Sequence, residues 1–286
     1  MITNTSKIEV TSSINGRRYA ISIALPPEPT PESTRALYVL DGNLYFASAV
    51  EAAHAAPAAE DAVIVGIASA EPHDDTRARL YDLTLPATDS VLATDRLPGQ
   101  LETTSKEVGG LDAFLATLEN DIKPVVQSHV GAELTHQALF GHSLGGLAVL
   151  HALFNRPEAF ASYIASSPSI WWNEQAVLKG EPAFAKAVKE GRAGPRILIT
   201  VGAKENEADP ATARRLNVTV PRLAEAIRRA RMIDNAVELT ARLRALQGTS
   251  PYHVEDCAIF PKQGHSLSAW PALGRAIAFA FLQDEV

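Results

Sequence analysis

Six short, almost purely apolar runs recur along this chain with helical-period segments between them: 36–40 (ALYVL), 62–67 (AVIVGI), 137–140 (QALF), 162–166 (SYIAS), 196–202 (RILITVG) and 257–260 (CAIF). A strand with one wet face alternates polar and apolar residues, so runs without a polar face must be covered on both sides. The pattern predicts a mostly parallel sheet with helices on both faces, the helices near 45–56, 110–128, 144–155, 176–190, 216–246 and 267–282. Pro221 is expected to split the fifth of these in two. Upstream, KIEVTSS (7–13) and RRYAISIAL (17–25) alternate around Asn15-Gly16, which reads as a two-residue hairpin turn at a sheet edge. The four prolines of LPPEPTPEST (25–34) mark a surface loop, since the chain before it is too short to fold alone.

A chain of 286 residues that is 46% hydrophobic can fill one core, and residues 1–286 are read as a single domain. The net charge of −7, with no basic run interleaved with aromatics, argues against a nucleic-acid partner. Cys257 stands alone, so it forms no internal disulfide; its place in CAIF predicts a buried thiol in a strand, with neither a redox nor a zinc site. The N-terminal residues have neither a basic nor an apolar signal region, and no apolar stretch reaches the roughly 18 residues of a membrane span. The expectation is no membrane association and a cytoplasmic setting. Oligomeric state leaves no mark in the sequence.

The segment ALFGHSLGGLAVLHALF (138–154) joins a strand to a helix through Gly141-His142-Ser143-Leu144-Gly145, the pattern G-x-S-x-G in the setting that a nucleophile elbow requires. Ser143 is the candidate nucleophile. An elbow of this type orders its partners as serine, acid, histidine, which leaves His151, His253 and His265 downstream. His151 lies within the elbow helix and His253 precedes the last strand. His265 follows that strand in a loop at its C-terminal end, where such sheets gather catalytic groups, and is the candidate base. The acid should follow the preceding strand, where Glu205, Glu207 and Asp209 are available and Glu205 comes first, three residues past Gly202. Two backbone donors are needed for the oxyanion: the N–H of Leu144, and that of Asn43 in the DGN turn after the first core strand. Asp41 is expected to brace that turn by accepting backbone hydrogen bonds.

These residues resemble a known family. LYVLDGNLYF (37–46), GGLDAFLATLENDIKP (109–124), the stretch from ALFGHSLGG to SPSIWWN (138–173), ILITVGAKE (197–205) and GHSLSAWPALGRAIAFAF (264–281) are similar to esterases that include enterochelin (siderophore) esterases, S-formylglutathione hydrolases, feruloyl esterases and mycolyltransferases. The resemblance implies an α/β-hydrolase fold, with Ser143 as nucleophile, His265 as base, Glu205 as acid and Asn43 as oxyanion donor. The enterochelin-esterase-like subgroup further implies that Arg79 and Asp82 of RLYDLTLP lie near the site, although the loop VGIASAEPHDDTRAR (65–79) is more polar than that subgroup suggests. An anionic catecholate trilactone would call for cations and aromatic faces, for which Arg79, Trp171, Trp172 and Trp270 are candidates and Trp172 the preferred one. The alternative is that Arg79 pairs with Asp82 and the tryptophans wall the core. The expected function is a serine ester hydrolase working through an acyl-enzyme on a small or medium ester, including a siderophore-type lactone, without metal or organic cofactor. The alternatives are an acyltransferase built on the same groups and a non-catalytic binding protein on a hydrolase fold.

Overall fold

Every apolar run except the last becomes an interior strand. The structure, a computed structural model, describes residues 4–26, 34–70, 75–95, 102–248 and 251–281. Nine strands, β1 (Thr5–Thr11), β2 (Arg18–Ala24), β3 (Thr34–Leu40), β4 (Ala62–Ser69), β5 (Leu134–His142), β6 (Ser162–Ser166), β7 (Arg196–Gly202), β8 (His253–Val254) and β9 (Ala258–Phe260), form one sheet among the described residues. Their order is β1-β2-β4-β3-β5-β6-β7-β8, with β9 pairing further along β7. The β1–β2 and β2–β4 pairs are antiparallel and the rest parallel.

Strand β3 shows why its run carries no polar face. Leu37 and Val39 pack with the helices Gly42–His54 and Ala269–Phe281, while Ala36, Tyr38 and Leu40 join the opposite layer, which contains Leu111–Thr117, Leu144–Asn155 and Met232–Arg244. All five side chains are essentially inaccessible. Burying each large one contributes about 1.5 to 3 kcal/mol, which a polar residue on either face would forfeit. From β3 the chain crosses to β4 on one side and later enters β5 on the other, so the C-terminal ends of β3 and β5 lie side by side at a topological switch point.

Several local expectations are corrected. The hairpin loop is longer than two residues: strand pairing stops at Thr11 and Arg18, because the Ser12 hydroxyl accepts the N–H groups of Ile14 and Asn15 and holds a wider loop. The helix expected over 110–128 is interrupted by a π-helical turn at Leu118–Ile122; Pro124, in the first turn of Lys123–Val130, has no N–H to continue the regular ladder. Pro221 begins the helix Val220–Ala230 instead of breaking one, and the next break falls at Arg231, which adopts φ 44°. Cys257 lies just outside β9 and is partly buried, and Ile259 within β9 is exposed, because this short strand forms the sheet edge. Burial still pushes the Cys257 thiol pKa up to about 11. Helices Asp75–Asp82 and Asp89–Asp95 carry no legible apolar stripe and were not expected. Most of the proline-rich loop lies outside the described residues.

Candidate active site

Strand β5 delivers Ser143 into a backbone conformation, φ 62° and ψ −116°, that a side chain adopts only under constraint. The constraint is visible. Ser143 N–H donates to the Ser166 carbonyl at 2.9 Å, and its own carbonyl accepts from Leu147 and Ser169 N–H at 3.0 and 3.1 Å. A Cβ on Gly141 would come within 2.3 Å of the Gly145 carbonyl oxygen, and one on Gly146 within 2.8 Å of the Ser166 oxygen. On Gly145 the nearest atom would be Asp41 Oδ2 at 3.4 Å, ordinary contact. The bend thus demands Gly146, which the five-residue motif omits, more than Gly145.

The Ser143 hydroxyl lies 2.9 Å from His265 Nε2, and His265 Nδ1 lies 2.7 Å from Glu205 Oε2. His265 sits in the turn between β9 and the helix Ala269–Phe281, and Glu205 in the turn after β7. Glu205 is buried, yet its second oxygen accepts from Gly202 N–H at 2.7 Å and from the hydroxyls of Ser167 and Ser268 at 2.6 and 3.2 Å. Burial alone would raise its pKa; the His265 ring, Ser167 and Gly202 outweigh that and hold the carboxyl below its ordinary value. Glu207 instead pairs with Lys204 at 3.4 Å, and Asp209 caps the helix Pro210–Arg215 by accepting from Ala211 and Thr212. Of the three carboxylates, only Glu205 meets the imidazole.

Leu144 opens the elbow helix, whose first N–H groups have no carbonyl behind them. Asn43, exposed, is the second residue of the helix Gly42–His54. Gly42 lets that helix start directly on β4, where a Cβ would lie 2.6 Å from the Gly66 and Ile67 backbone. Asp41 caps the helix through its carbonyl, not its side chain: its carboxylate grips Arg79 twice, Nε to Oδ1 at 2.6 Å and Nη2 to Oδ2 at 2.8 Å. The expected bracing by the Asp41 side chain is therefore replaced by a partly buried ion pair. Arg79 also reaches the His142 carbonyl at 3.4 Å, directly beneath the elbow. Asp82 is not its partner; it faces Arg17 at 3.1 Å and lines a small pocket with Tyr19 and Phe114, not the cleft over Ser143.

A cleft of about 1000 Å³ opens over Ser143. Arg79, Trp171 and Trp172 line it, together with Leu216, Leu223 and Ile227 from the segment that follows Glu205. Trp172 is 4% exposed and donates its indole N–H to the Leu85 carbonyl at 3.2 Å, so it is both core wall and cleft floor. Trp270 stands outside the cleft, 45% exposed, with its ring centroid 5.5 Å from that of Tyr45. Sequence reasoning missed Arg215, a cleft cation, and His142, whose Nδ1 lies 3.0 Å from Ser166 Oγ and whose ring lies 4.9 Å from that of His265. Burial, with His265 alongside, pushes the His142 pKa down to about 3, so it stays neutral next to the imidazole of His265. The signal for Arg215 lay in the charged stretch after Glu205, whose fold the sequence left open.

Residues 12–242 match the family model described as "Putative esterase". The chain is 34% identical to the ferri-bacillibactin esterase BesA of Bacillus subtilis, over 98% of this chain and 90% of that protein. It is 36% identical to the siderophore triacetylfusarinine C esterase of Aspergillus fumigatus, over 72% and 68% respectively. Among solved structures it is similar to the siderophore hydrolase EstB from Aspergillus nidulans, with a TM-score of 0.79, 25% identity and coverage of 100% of this chain and 98% of the other. The sheet and its flanking helices are those of an α/β serine hydrolase.

Proposed function

Because the chain belongs to this esterase family and is an ester hydrolase, we propose that it cleaves its substrate through a covalent acyl-enzyme on Ser143. His265 Nε2 takes the hydroxyl proton as Oγ attacks the ester carbonyl. Glu205, hydrogen-bonded at Nδ1, holds the ring in the required tautomer and stabilises its charged form. The N–H groups of Leu144 and Asn43 receive the oxyanion. Collapse of the tetrahedral intermediate expels the alcohol, which takes its proton from His265; a water activated by the same nitrogen then releases the acid. The observation that carries this reading is the continuous series Ser143 Oγ, His265, Glu205, with links of 2.9 and 2.7 Å.

The relatives named for bacillibactin and triacetylfusarinine C support a siderophore ester as the substrate class. The cleft suits a bulky ester of that kind: it is large, walled by apolar side chains, and carries the cations Arg79 and Arg215. The test is direct. A fluorophosphonate should label Ser143 stoichiometrically, and Ser143→Ala should lower kcat on a siderophore triester by roughly 10⁴-fold or more while keeping the native circular dichroism spectrum. Turnover by the alanine variant near the wild-type rate would refute the assignment.

A further inference from the structure

We infer that the exposed apolar rim formed by Leu44, Leu267 and Trp270 is the binding site for the alcohol half of the ester, and that it selects alcohols with an aromatic or broad apolar face. The inference rests on the acyl-enzyme reading above.

The tetrahedral intermediate has four substituents, and three have fixed directions. Ser143 Oγ holds one; the oxyanion points at the Leu144 and Asn43 amides. The departing alcohol oxygen must receive its proton from His265 Nε2, so it lies within hydrogen-bond reach of that nitrogen, about 2.6 to 3.2 Å. The imidazole is pinned at its other end by Glu205, so the alcohol oxygen stays beside the turn that carries His265. The acyl substituent is assigned to the remaining direction, toward the part of the cleft lined by Leu216, Leu223 and Ile227.

Large apolar side chains stand open on both sides of the reacting groups. Leu267 is 58% exposed, Trp270 45% and Leu44 54%, three of the eight large apolar side chains left open among the described residues. Leu267 lines the cleft beside His265. Trp270, three residues on, donates its N–H to the Leu267 carbonyl at 3.4 Å, so the two side chains share one side of the turn. The Trp270 ring meets Tyr45 edge-on, at 5.5 Å and 70°, and Leu44 precedes Tyr45 in the first turn beside Asn43. Scattered exposed leucines need no explanation, but a grouped set flanking both the proton donor and an oxyanion amide marks a ligand surface.

The test compares ethyl acetate, 2-naphthylmethyl acetate and ethyl 2-naphthylacetate on wild type, Trp270→Ala, Trp270→Phe and Leu267→Ala, each normalised to active sites by fluorophosphonate titration. The first two esters share an acyl group and have leaving alkoxides of similar basicity, so their ratio of kcat/KM reads alcohol recognition alone. The expected result is a wild-type preference for naphthylmethyl acetate that falls about three- to tenfold in Trp270→Ala and is partly restored in Trp270→Phe. The ratio of ethyl 2-naphthylacetate to ethyl acetate should move less than about twofold. A naphthylmethyl preference unchanged across all variants, or a loss confined to the acyl-side ratio, would overturn the inference while leaving the hydrolase reading intact. Failure of the phosphonate to label Ser143 would overturn both.

Discussion

Glu205 is the residue whose surroundings are most finely set. One carboxylate oxygen faces the His265 ring and the other collects Gly202 N–H, Ser167 and Ser268, all donors. A carboxylate accepts on both sides; an amide cannot. In Glu205→Gln the NH₂ group must face either those donors, leaving buried N–H and O–H groups unpaired, or the His265 nitrogen, which fixes the wrong tautomer. We expect kcat on a p-nitrophenyl ester to fall by about 10³- to 10⁴-fold. Glu207→Gln should change it by less than about threefold, because that carboxylate is exposed and, among the described residues, pairs with Lys204 and not with His265. The reverse ranking would move the acid role. The sequence left Glu205, Glu207 and Asp209 open and favoured Glu205 for its distance from Gly202, a local property of the strand end. The Asp41–Arg79 pair was not readable, because it exists only once β4 lies beside β3 and the helix that follows β4 reaches the C-terminal end of β3.

At the level of elements, two junctions make separable predictions. The elbow packs Gly146 against backbone that cannot retreat, so Gly146→Ala should destabilise the protein by about 1 to 3 kcal/mol in urea titration and impair Ser143. Gly145→Ala meets only ordinary contact and adds a good helix former, so its loss should be smaller; a larger loss at Gly145 would contradict this account of the bend. The second junction joins the hairpin loop to the helix Asp75–Asp82 through Arg17 and Asp82. Burial, opposed by Arg17 and Tyr19, pushes the Asp82 pKa up to about 6 from 3.8. The folded state therefore holds a proton that the unfolded state releases near pH 4, and stability drains away as pH rises from about 4 to 6. Asp82→Asn removes that titration. Relative to wild type, the variant should gain about 2 to 4 kcal/mol between pH 4 and pH 7 and then level off; urea unfolding at a series of pH values would show a flat difference if Asp82 is not protonated in the fold.

Across the whole molecule, Ser143 and the groups around it come from positions 41, 79, 143, 205 and 265, carried by turns at one end of the sheet and, for Arg79, by the helix Asp75–Asp82. The sheet itself was legible because strands covered on both faces are mainly apolar, the polar residues they bury being small hydroxyl-bearing ones such as Ser162, Ser166 and Thr200. The stretch after Glu205 was not: Pro221 is compatible with either starting or ending a helix, and the left-handed turn at Arg231 has no glycine to announce it. The C-terminal part is bound into the centre, with Ala272, Leu273, Ala276 and Ile277 covering the same layer as Leu37 and Val39. The turn that carries His265 is therefore anchored by a helix that cannot leave without exposing the middle strands. If residues 1–286 form one domain, as proposed, the site and the sheet must be lost together. In a urea titration, far-UV circular dichroism and fluorophosphonate labelling of Ser143 should fall in one coincident transition. Labelling that disappears at clearly lower urea, while the dichroism holds a plateau, would instead mean that His265 and its helix unfold as a separate unit, and the one-domain proposal would fail.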